Sequence, residues 1–181
     1  FAPGGLSTLR GIKVPGTFHN PLPLDPPRWS AMLAALEPDL IEVGDAFHPA
    51  WCATQVAQRR GIPLVAFFHS NLPQLVTQRM GTAIGAGFAR YVRWLCARAD
   101  AVLAPSRYMR DYLRSLGVTR VICQPLGVDV ETFNPAQRTL DVRRELGLGE
   151  DTRLLVFAGR FSGEKNLSVL FEAFARLGKP Y

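Results

Sequence analysis

The sequence predicts an α/β fold with a parallel, doubly wound sheet, and two observations carry this prediction. Apolar runs of strand length alternate with segments of helical periodicity. The run 62–68 is apolar throughout, which is typical of a strand buried on both faces of a parallel sheet. Because strands and helices alternate along the chain, a doubly wound parallel sheet is the economical architecture.

The elements of this predicted sheet lie between residues 39 and 123. The predicted strands are Asp39–Val43, Ile62–Phe68, Ala101–Ala104 and Arg120–Cys123. Helical spacing covers Pro49–Arg60 and Ser106–Leu116. Pro49 suits a first helical turn, and Gly61 and Gly117 suit the residues that end the two helices.

A second strand and helix are predicted after a break in this rhythm. A helical pattern at 140–146, a strand at 153–158 and a helix at 165–177 follow a polar stretch. The last helix has an apolar face made of Leu167, Leu170, Phe171, Phe174 and Leu177. We therefore expect residues 1–125 to form one Rossmann-like domain, incomplete at its start, residues 126–135 a linker, and residues 136–181 the start of a second domain.

Composition excludes several classes of protein. With 181 residues, 48% hydrophobic and 20% charged, the chain is neither disordered nor collagenous. It has no apolar run of membrane-spanning length and no signal-peptide pattern at its start.

The cysteines Cys52, Cys96 and Cys123 lack metal or redox spacing, so we expect reduced thiols in a cytoplasmic protein. The motifs H-E-x-x-H and G-x-S-x-G are absent, so a hydrolase interpretation has no nucleophile to name.

Positive charge is concentrated in one part of the sequence. Between residues 79 and 120 there are eight arginines and two aspartates. The net charge of this segment is therefore +6, equal to the net charge of the whole chain. Such a block attracts phosphate on anionic lipid or on nucleic acid, or it is simply a solvated face.

The segment Gly159–Asn166 contains the clearest candidate for a binding site. Gly159 ends the predicted strand and allows a tight turn, and Arg160 and Lys165 bracket the loop that leads into a helix. Two cations beside a helix amino terminus form a site for a diphosphate and stabilise the charge that develops as a phosphate leaves. The alternative is that both are solvated side chains on a loop.

Five segments in register resemble family 4 retaining glycosyltransferases of the GT-B fold. They are Gly61–His69, Ala99–Ser106, Pro125–Asp129 with Phe133–Pro135, Arg144–Leu148, and Phe157–Arg160 with Glu164–Leu167. The resemblance covers roughly residues 35–177, and it is nearest to the lipid-linked mannosyl and sulfoquinovosyl transferases. It implies two Rossmann-like domains that face each other across a cleft, with the acceptor on the first and a nucleotide sugar on the second.

The resemblance also implies roles for particular residues. Arg160 and Lys165 would hold the diphosphate of a UDP- or GDP-sugar and take the part of a metal, so no metal or other cofactor is expected. His69 would be the catalytic residue that reaches the transferred sugar, or alternatively a residue that caps its strand through backbone hydrogen bonds. Gly127 and Gly159 would let the backbone approach the donor, and Asp129 would be structural.

Two family features are missing from the chain. The glycine-rich loop would precede residue 1, since Gly4-Gly5 does not fit it, and the glutamate pair spaced by seven residues would follow Tyr181, because Glu172 has no partner at that spacing. We therefore expect an enzyme of which this chain is an inactive part. Asp45 and His48 form another candidate pair, for which a helix cap by Asp45 or a cleft-lining role is favoured over catalysis.

The expected function is the transfer of a hexose from a nucleotide sugar to a glycan or lipid-linked acceptor with retention of configuration. The alternative is a non-catalytic module that binds phosphate, lipid headgroups or RNA; otherwise nucleic acid is not an expected partner. At roughly 100° per residue, Arg90, Arg93 and Arg98 fall within an arc of about 140° that also contains Trp94. This pattern predicts peripheral binding to anionic membrane on its inner face, unless Trp94 packs against a neighbouring loop.

Overall fold

The computed structural model describes residues 11–12, 22–23, 25–138, 141–149 and 151–177. It divides the chain into two compact units, Phe1–Gly127 and Val128–Tyr181. The division falls inside the segment 126–135 for which the sequence predicts a linker. The assignment of an acceptor-side and a donor-side domain stays a prediction.

The first unit contains a four-stranded parallel sheet. Its strands follow chain order and are β3 (Ile41–Val43), β4 (Leu64–Phe67), β5 (Ala101–Ala104) and β6 (Val121–Cys123). A separate antiparallel pair joins β1 (Gly11–Ile12) and β2 (Leu22–Pro23). The parallel sheet confirms the predicted α/β class, and each strand is shorter than or equal to its predicted run.

The described residues of this unit form five helices. They are α1 (Pro26–Ala35), α2 (His48–Arg60), α3 (Leu72–Met80), α4 (Thr82–Cys96) and α5 (Arg107–Ser115). Gly61 has the left-handed conformation with φ of 67°, which ends α2 as predicted. Helices α1 and α3 were not predicted from the sequence, although each begins with a clear signal. Asp25 and Asn71 each accept a hydrogen bond from the backbone three residues on, with proline in the first turn.

The core of the first unit lies between the sheet and the helices. Leu64, Val102 and Ala104 of the strands are buried together with Val92 of α4 and Leu113 of α5. Asp100 accepts a hydrogen bond from the backbone N–H of Leu64 at 2.9 Å. This bond joins the amino ends of β4 and β5. The parallel pairing of β3 with β4 places their carboxyl ends side by side, and the loops that follow them form the edge where the site lies.

The second unit has helices but no strand in its described residues. It contains α6 (Asp141–Glu145), α7 (Leu167–Leu177) and short 3-10 turns at Pro135–Gln137 and Gly163–Lys165. The prediction of a strand at 153–158 is wrong for this structure, since these residues have no regular secondary structure. A strand needs a hydrogen-bonding neighbour, and the described part of this unit supplies none.

Candidate functional site

A pocket of about 160 Å³ lies at the carboxyl ends of β3 and β4. Ligands of parallel α/β sheets bind at this edge. Gly44, Asp45 and Phe47 line the pocket from the loop after β3, and Phe68 and His69 line it from the loop after β4. Its third wall is the apolar side of α4, made of Val92, Leu95 and Cys96. The pocket thus has an apolar floor and a polar rim.

His69 lies on that rim directly after β4. Its Nδ1 is 3.0 Å from the hydroxyl oxygen of Ser70, which orients the ring. Its Nε2 lies beside Gly44. A Cβ built on that glycine would be 3.9 Å from the Nε2 atom of His69. The ring also rests on Phe67, with 5.8 Å between ring centroids. Because the imidazole is exposed and uses Nδ1 on Ser70, Nε2 is the atom positioned to meet a ligand.

Asp45 lines the same pocket, and the structure brings it together with His69 and not with His48. Its carboxylate accepts a hydrogen bond from the backbone N–H of Phe47 at 2.8 Å. The cap residue of α2 is Phe47, which has no side-chain cap, so of the two roles favoured for Asp45 the helix cap is wrong, and the structure places Asp45 in the lining of a pocket. His48 is exposed on the first turn of α2 and does not line the pocket. The pair of Asp45 with His48, which the sequence did not favour, is not formed at this pocket, and the histidine that shares the pocket comes from the loop after the next strand.

Two further ionisable side chains near this pocket are held neutral. Burial raises the pKa of the Cys96 thiol to about 11. Burial also raises the pKa of Tyr91, and its neighbours Asp45 and Cys52 raise it further. Cys96 is therefore a protonated, apolar wall residue at neutral pH, as expected for a buried reduced thiol.

The second unit carries the loop with the two predicted cations. Arg160 and Lys165 are exposed and lie on either side of Ser162, whose hydroxyl oxygen is buried without a hydrogen-bond partner. The loop ends at Asn166, which has φ of 48°, and α7 begins at the next residue. The cations and the orphan hydroxyl therefore precede the amino terminus of an 11-residue helix, as an anion site requires.

The two candidate glycines have different surroundings. A Cβ on Gly159 would lie 3.0 Å from the ring of Phe157, so only glycine fits there without a shift of that ring. A Cβ on Gly127 would meet no atom within 4 Å. Their approach to a donor, like the catalytic role of His69 and the diphosphate contacts of Arg160 and Lys165, stays a prediction.

The arginine-rich helix is only partly as predicted. Arg90 and Arg93 are exposed on α4, whereas Arg98 lies beyond the helix end at Cys96. The guanidinium of Arg98 stands 3.8 Å from the centre of the Trp94 ring, which stacks on Tyr91 at 6.0 Å. Trp94 is therefore half-buried between its own neighbours. No helix in the described part of the chain is long and apolar enough to cross a bilayer.

Comparison with known proteins gives consistent relatives. The chain is 27% identical over 180 residues to a sulfoquinovosyl transferase of Arabidopsis thaliana, covering 96% of this chain and 35% of the relative. It is 31% identical over 158 residues to a GDP-mannose-dependent alpha-mannosyltransferase of Mycolicibacterium smegmatis, covering 86% and 41%. It is 29% identical over 147 residues to a GDP-mannose-dependent alpha-(1-6)-phosphatidylinositol dimannoside mannosyltransferase of Mycobacterium tuberculosis, covering 81% and 38%.

The chain therefore spans between about a third and two fifths of the length of these relatives. The sequence profile of Glycosyltransferase Family 4 matches residues 6–132, which is most of the chain and includes the whole parallel sheet with the His69 pocket. By this match, the chain belongs to Glycosyltransferase Family 4.

Proposed function

We propose that the protein that carries this chain transfers a hexose from a nucleotide diphosphate sugar to a glycan or lipid-linked acceptor with retention of configuration. The family match over residues 6–132 is the observation that carries the proposal. Two relatives are named as GDP-mannose-dependent mannosyltransferases. Mannose on a guanosine diphosphate is accordingly the first donor to test, with UDP-sugars as the second.

The donor diphosphate is assigned to the loop before α7. Arg160 and Lys165 supply two positive charges there, and the first backbone N–H groups of α7 add the positive end of the helix dipole. These groups stabilise the charge that builds up on the diphosphate as the sugar leaves, the part that a metal plays in other transferases. The proposed donor site thus works without a metal or another cofactor.

The reaction exchanges one bond at the anomeric carbon for another. The bond from that carbon to the diphosphate oxygen breaks, the acceptor hydroxyl oxygen bonds to the same face, and its proton passes to the leaving diphosphate. His69 is assigned to the transferred sugar, because Ser70 fixes Nδ1 and leaves Nε2 on the pocket side. Its contribution is to orient a sugar hydroxyl by a hydrogen bond.

Titration with nucleotide diphosphates tests the donor assignment. Arg160→Ala or Lys165→Ala in the protein that carries this chain is expected to weaken GDP or UDP binding in isothermal titration. Loss of one such donor typically lowers turnover ~10²–10³-fold. Arg176→Ala is a matched control, because Arg176 lies at the other end of α7, where it pairs with Glu172. Unchanged affinity in both loop variants would favour a non-catalytic binding module.

We also propose that the first unit contacts anionic membrane from the cytoplasmic side. Arg90 and Arg93 are exposed on one helix, and the chain from residue 79 to residue 120 carries eight arginines. Exposed arginines near a surface attract anionic headgroups. Because Trp94 is half-buried against Tyr91 and Arg98, the arginines carry this proposal and the indole does not.

Sedimentation with phosphatidylglycerol liposomes tests the membrane contact. Binding is expected at low salt, a decrease at high salt, and a decrease when Arg90 and Arg93 are replaced by glutamine. Arg59→Gln with Arg60→Gln on α2 is the charge-matched control. Protein that stays in the supernatant at low salt contradicts the proposal.

A further inference from the structure

A second cavity of the first unit lies between α3, α4 and α5. Its volume is about 390 Å³, and it opens to solvent as a groove. Small residues of α4, Gly85, Ala86 and Ala89, form its base. The polar and aromatic residues that line it are Asn71, Gln74, Thr77, Thr82, Tyr108 and Tyr112.

Among the described residues, no charged side chain lines this groove, although it lies within the most basic part of the chain. Arg79, Arg90 and Arg107 are close in sequence to its lining residues but are not among them. A site for phosphate or for a carboxylate would place at least one of these cations in contact with the ligand. The lining therefore suits an uncharged ligand.

Two tyrosines form one wall of the groove. Tyr108 is 65% exposed in the first turn of α5, and Tyr112 lies one turn further on. Tyr112 stacks on Phe68 with 6.4 Å between ring centroids and 25° between planes, which holds it in place. Burial raises the pKa of Tyr112, and the phenol of Tyr108 raises it further, so the two rings are neighbours. Tyr108 thus presents an aromatic surface on a fixed support.

Several polar groups of the groove remain available to a ligand. The hydroxyls of Tyr108, Tyr112 and Thr82 have no hydrogen-bond partner in the described part of the chain. The side-chain oxygen of Gln74 accepts from Asn71, and no described residue bonds its nitrogen. The groove therefore combines an aromatic face with unused hydroxyl and amide groups. An uncharged pyranose ring has the complementary chemistry, with an apolar face of C–H groups and a rim of hydroxyls.

We infer that this groove binds an uncharged pyranose ring of the acceptor, with Tyr108 as the stacking platform. Asn71 lies two residues after His69, and Phe68 lines the His69 pocket while it stacks on Tyr112. The groove therefore adjoins the pocket in which the proposed transfer takes place. This inference rests on the proposed function and adds that the acceptor presents a neutral sugar beside the hydroxyl that is glycosylated.

Saturation-transfer NMR with methyl α-D-mannopyranoside and methyl α-D-glucopyranoside tests the groove directly. Tyr108→Ala is expected to raise the Kd of the bound sugar about three- to tenfold, the range of an aromatic contact. Tyr108→Phe keeps the ring and is expected to change the Kd less than about twofold. Phe133→Ala is the control, because Phe133 is 72% exposed and belongs to the second unit.

The outcomes separate this inference from the proposed function. Sugar binding that Tyr108→Ala leaves unchanged, or no binding of either sugar, overturns the groove assignment. A thermal melt of each variant shows whether the fold is intact, which the exposure of Tyr108 leads us to expect. GDP and UDP titrations of the same proteins report on the donor site, so nucleotide binding without sugar binding contradicts the groove alone. Sugar binding that depends on Tyr108 without any nucleotide binding contradicts the proposed transfer and leaves the groove as a sugar site.

Discussion

The two units of the chain differ in how far their apolar side chains are buried. In the first unit, Leu64, Val102 and Leu113 are almost completely shielded from solvent, within one continuous core. In the second, no described residue is buried, and Val156 is 79% exposed. The sequences of the two regions do not predict this difference in burial, because both contain apolar runs and amphipathic helical patterns.

The contrast shows which elements depend on neighbours. Helix α7 forms because its hydrogen bonds close within the segment, even though Phe171 and Leu177 on its apolar face remain exposed. The run 153–158 has as strong an apolar pattern as β5, yet β5 forms hydrogen bonds to β4 and β6 and the run has no such neighbour among the described residues. A helix is a local structure and a buried strand is not.

Core truncation gives the largest expected effect and tests the contrast directly. Leu113→Ala in the first unit is expected to lower the free energy of unfolding by about 2–5 kcal/mol, because the side chain is fully buried. Leu170→Ala on α7 is expected to lower it by less than about 1 kcal/mol, because 42% of that residue is already exposed. Urea unfolding followed by far-UV circular dichroism measures both.

Tryptophan fluorescence provides the control for this pair. All three tryptophans, Trp29, Trp51 and Trp94, belong to the first unit, so fluorescence follows that unit alone. Leu113→Ala should shift the fluorescence midpoint and Leu170→Ala should not. Equal losses in both variants would mean that the apolar face of α7 is covered in solution, and the contrast between the units would fail.

The sheet was predictable because its signals are local and repeated. Continuous apolar runs located the buried strands, and Gly61 and Gly117 marked the helix ends at φ of 67° and 87°. The helices α1 and α3 were missed although caps at Asp25 and Asn71, each followed by a proline in the first turn, mark where they begin. The strand at 153–158 could not be judged from its own residues, since its formation depends on a partner strand.

The candidate site was predictable residue by residue but not as an arrangement. His69 was identified by the family resemblance together with its place after a buried strand, and the structure puts it in a pocket. Asp45 was considered with His48 alone and not with His69, because sequence distance does not show which loops meet at a sheet edge. The tyrosine groove was missed entirely, since Tyr108 and Gln74 come from different helices and have no shared sequence pattern.

Two glycines on α4 test how closely the helices of the first unit pack, with an expected effect on stability of intermediate size. A Cβ on Gly85 would lie 1.8 Å from the hydroxyl oxygen and 2.9 Å from the Cα of Thr77 on α3, so Gly85→Ala is expected to cost about 1–3 kcal/mol. Gly87 on the same helix has open space around it, and Gly87→Ala is expected to stabilise by up to about 1 kcal/mol.

Thermal or urea unfolding of the two glycine variants reads out the sign of each change. Opposite signs show that α3 and α4 are held at backbone contact, as packing in the first unit requires. A Gly85→Ala variant as stable as Gly87→Ala would show that the two helices separate without cost, and the tight packing assigned to the first unit would be wrong there.

The smallest expected effect concerns local order in the second unit, at Asp129. Its carboxylate accepts hydrogen bonds from the hydroxyl of Thr132 at 2.7 Å and from the backbone N–H groups of Thr132 and Glu131. These bonds lower the pKa of Asp129 below its usual range, with the Thr132 hydroxyl as the largest cause. A lowered pKa stabilises the turn at higher pH, and this stabilisation is lost as the pH falls through the folded-state pKa.

A carbon-detected NMR titration of the Asp129 carboxyl measures this directly. Thr132→Val removes the hydroxyl and keeps the shape of the side chain, so the pKa should rise toward its usual range. It should not rise all the way, because the two backbone donors remain. Thr152→Val, at a threonine outside this turn, should leave it unchanged. A pKa that Thr132→Val does not move would mean that the turn is unformed in solution. A rise would show that the second unit keeps order where a contact spans three residues, even though its described residues contain no core.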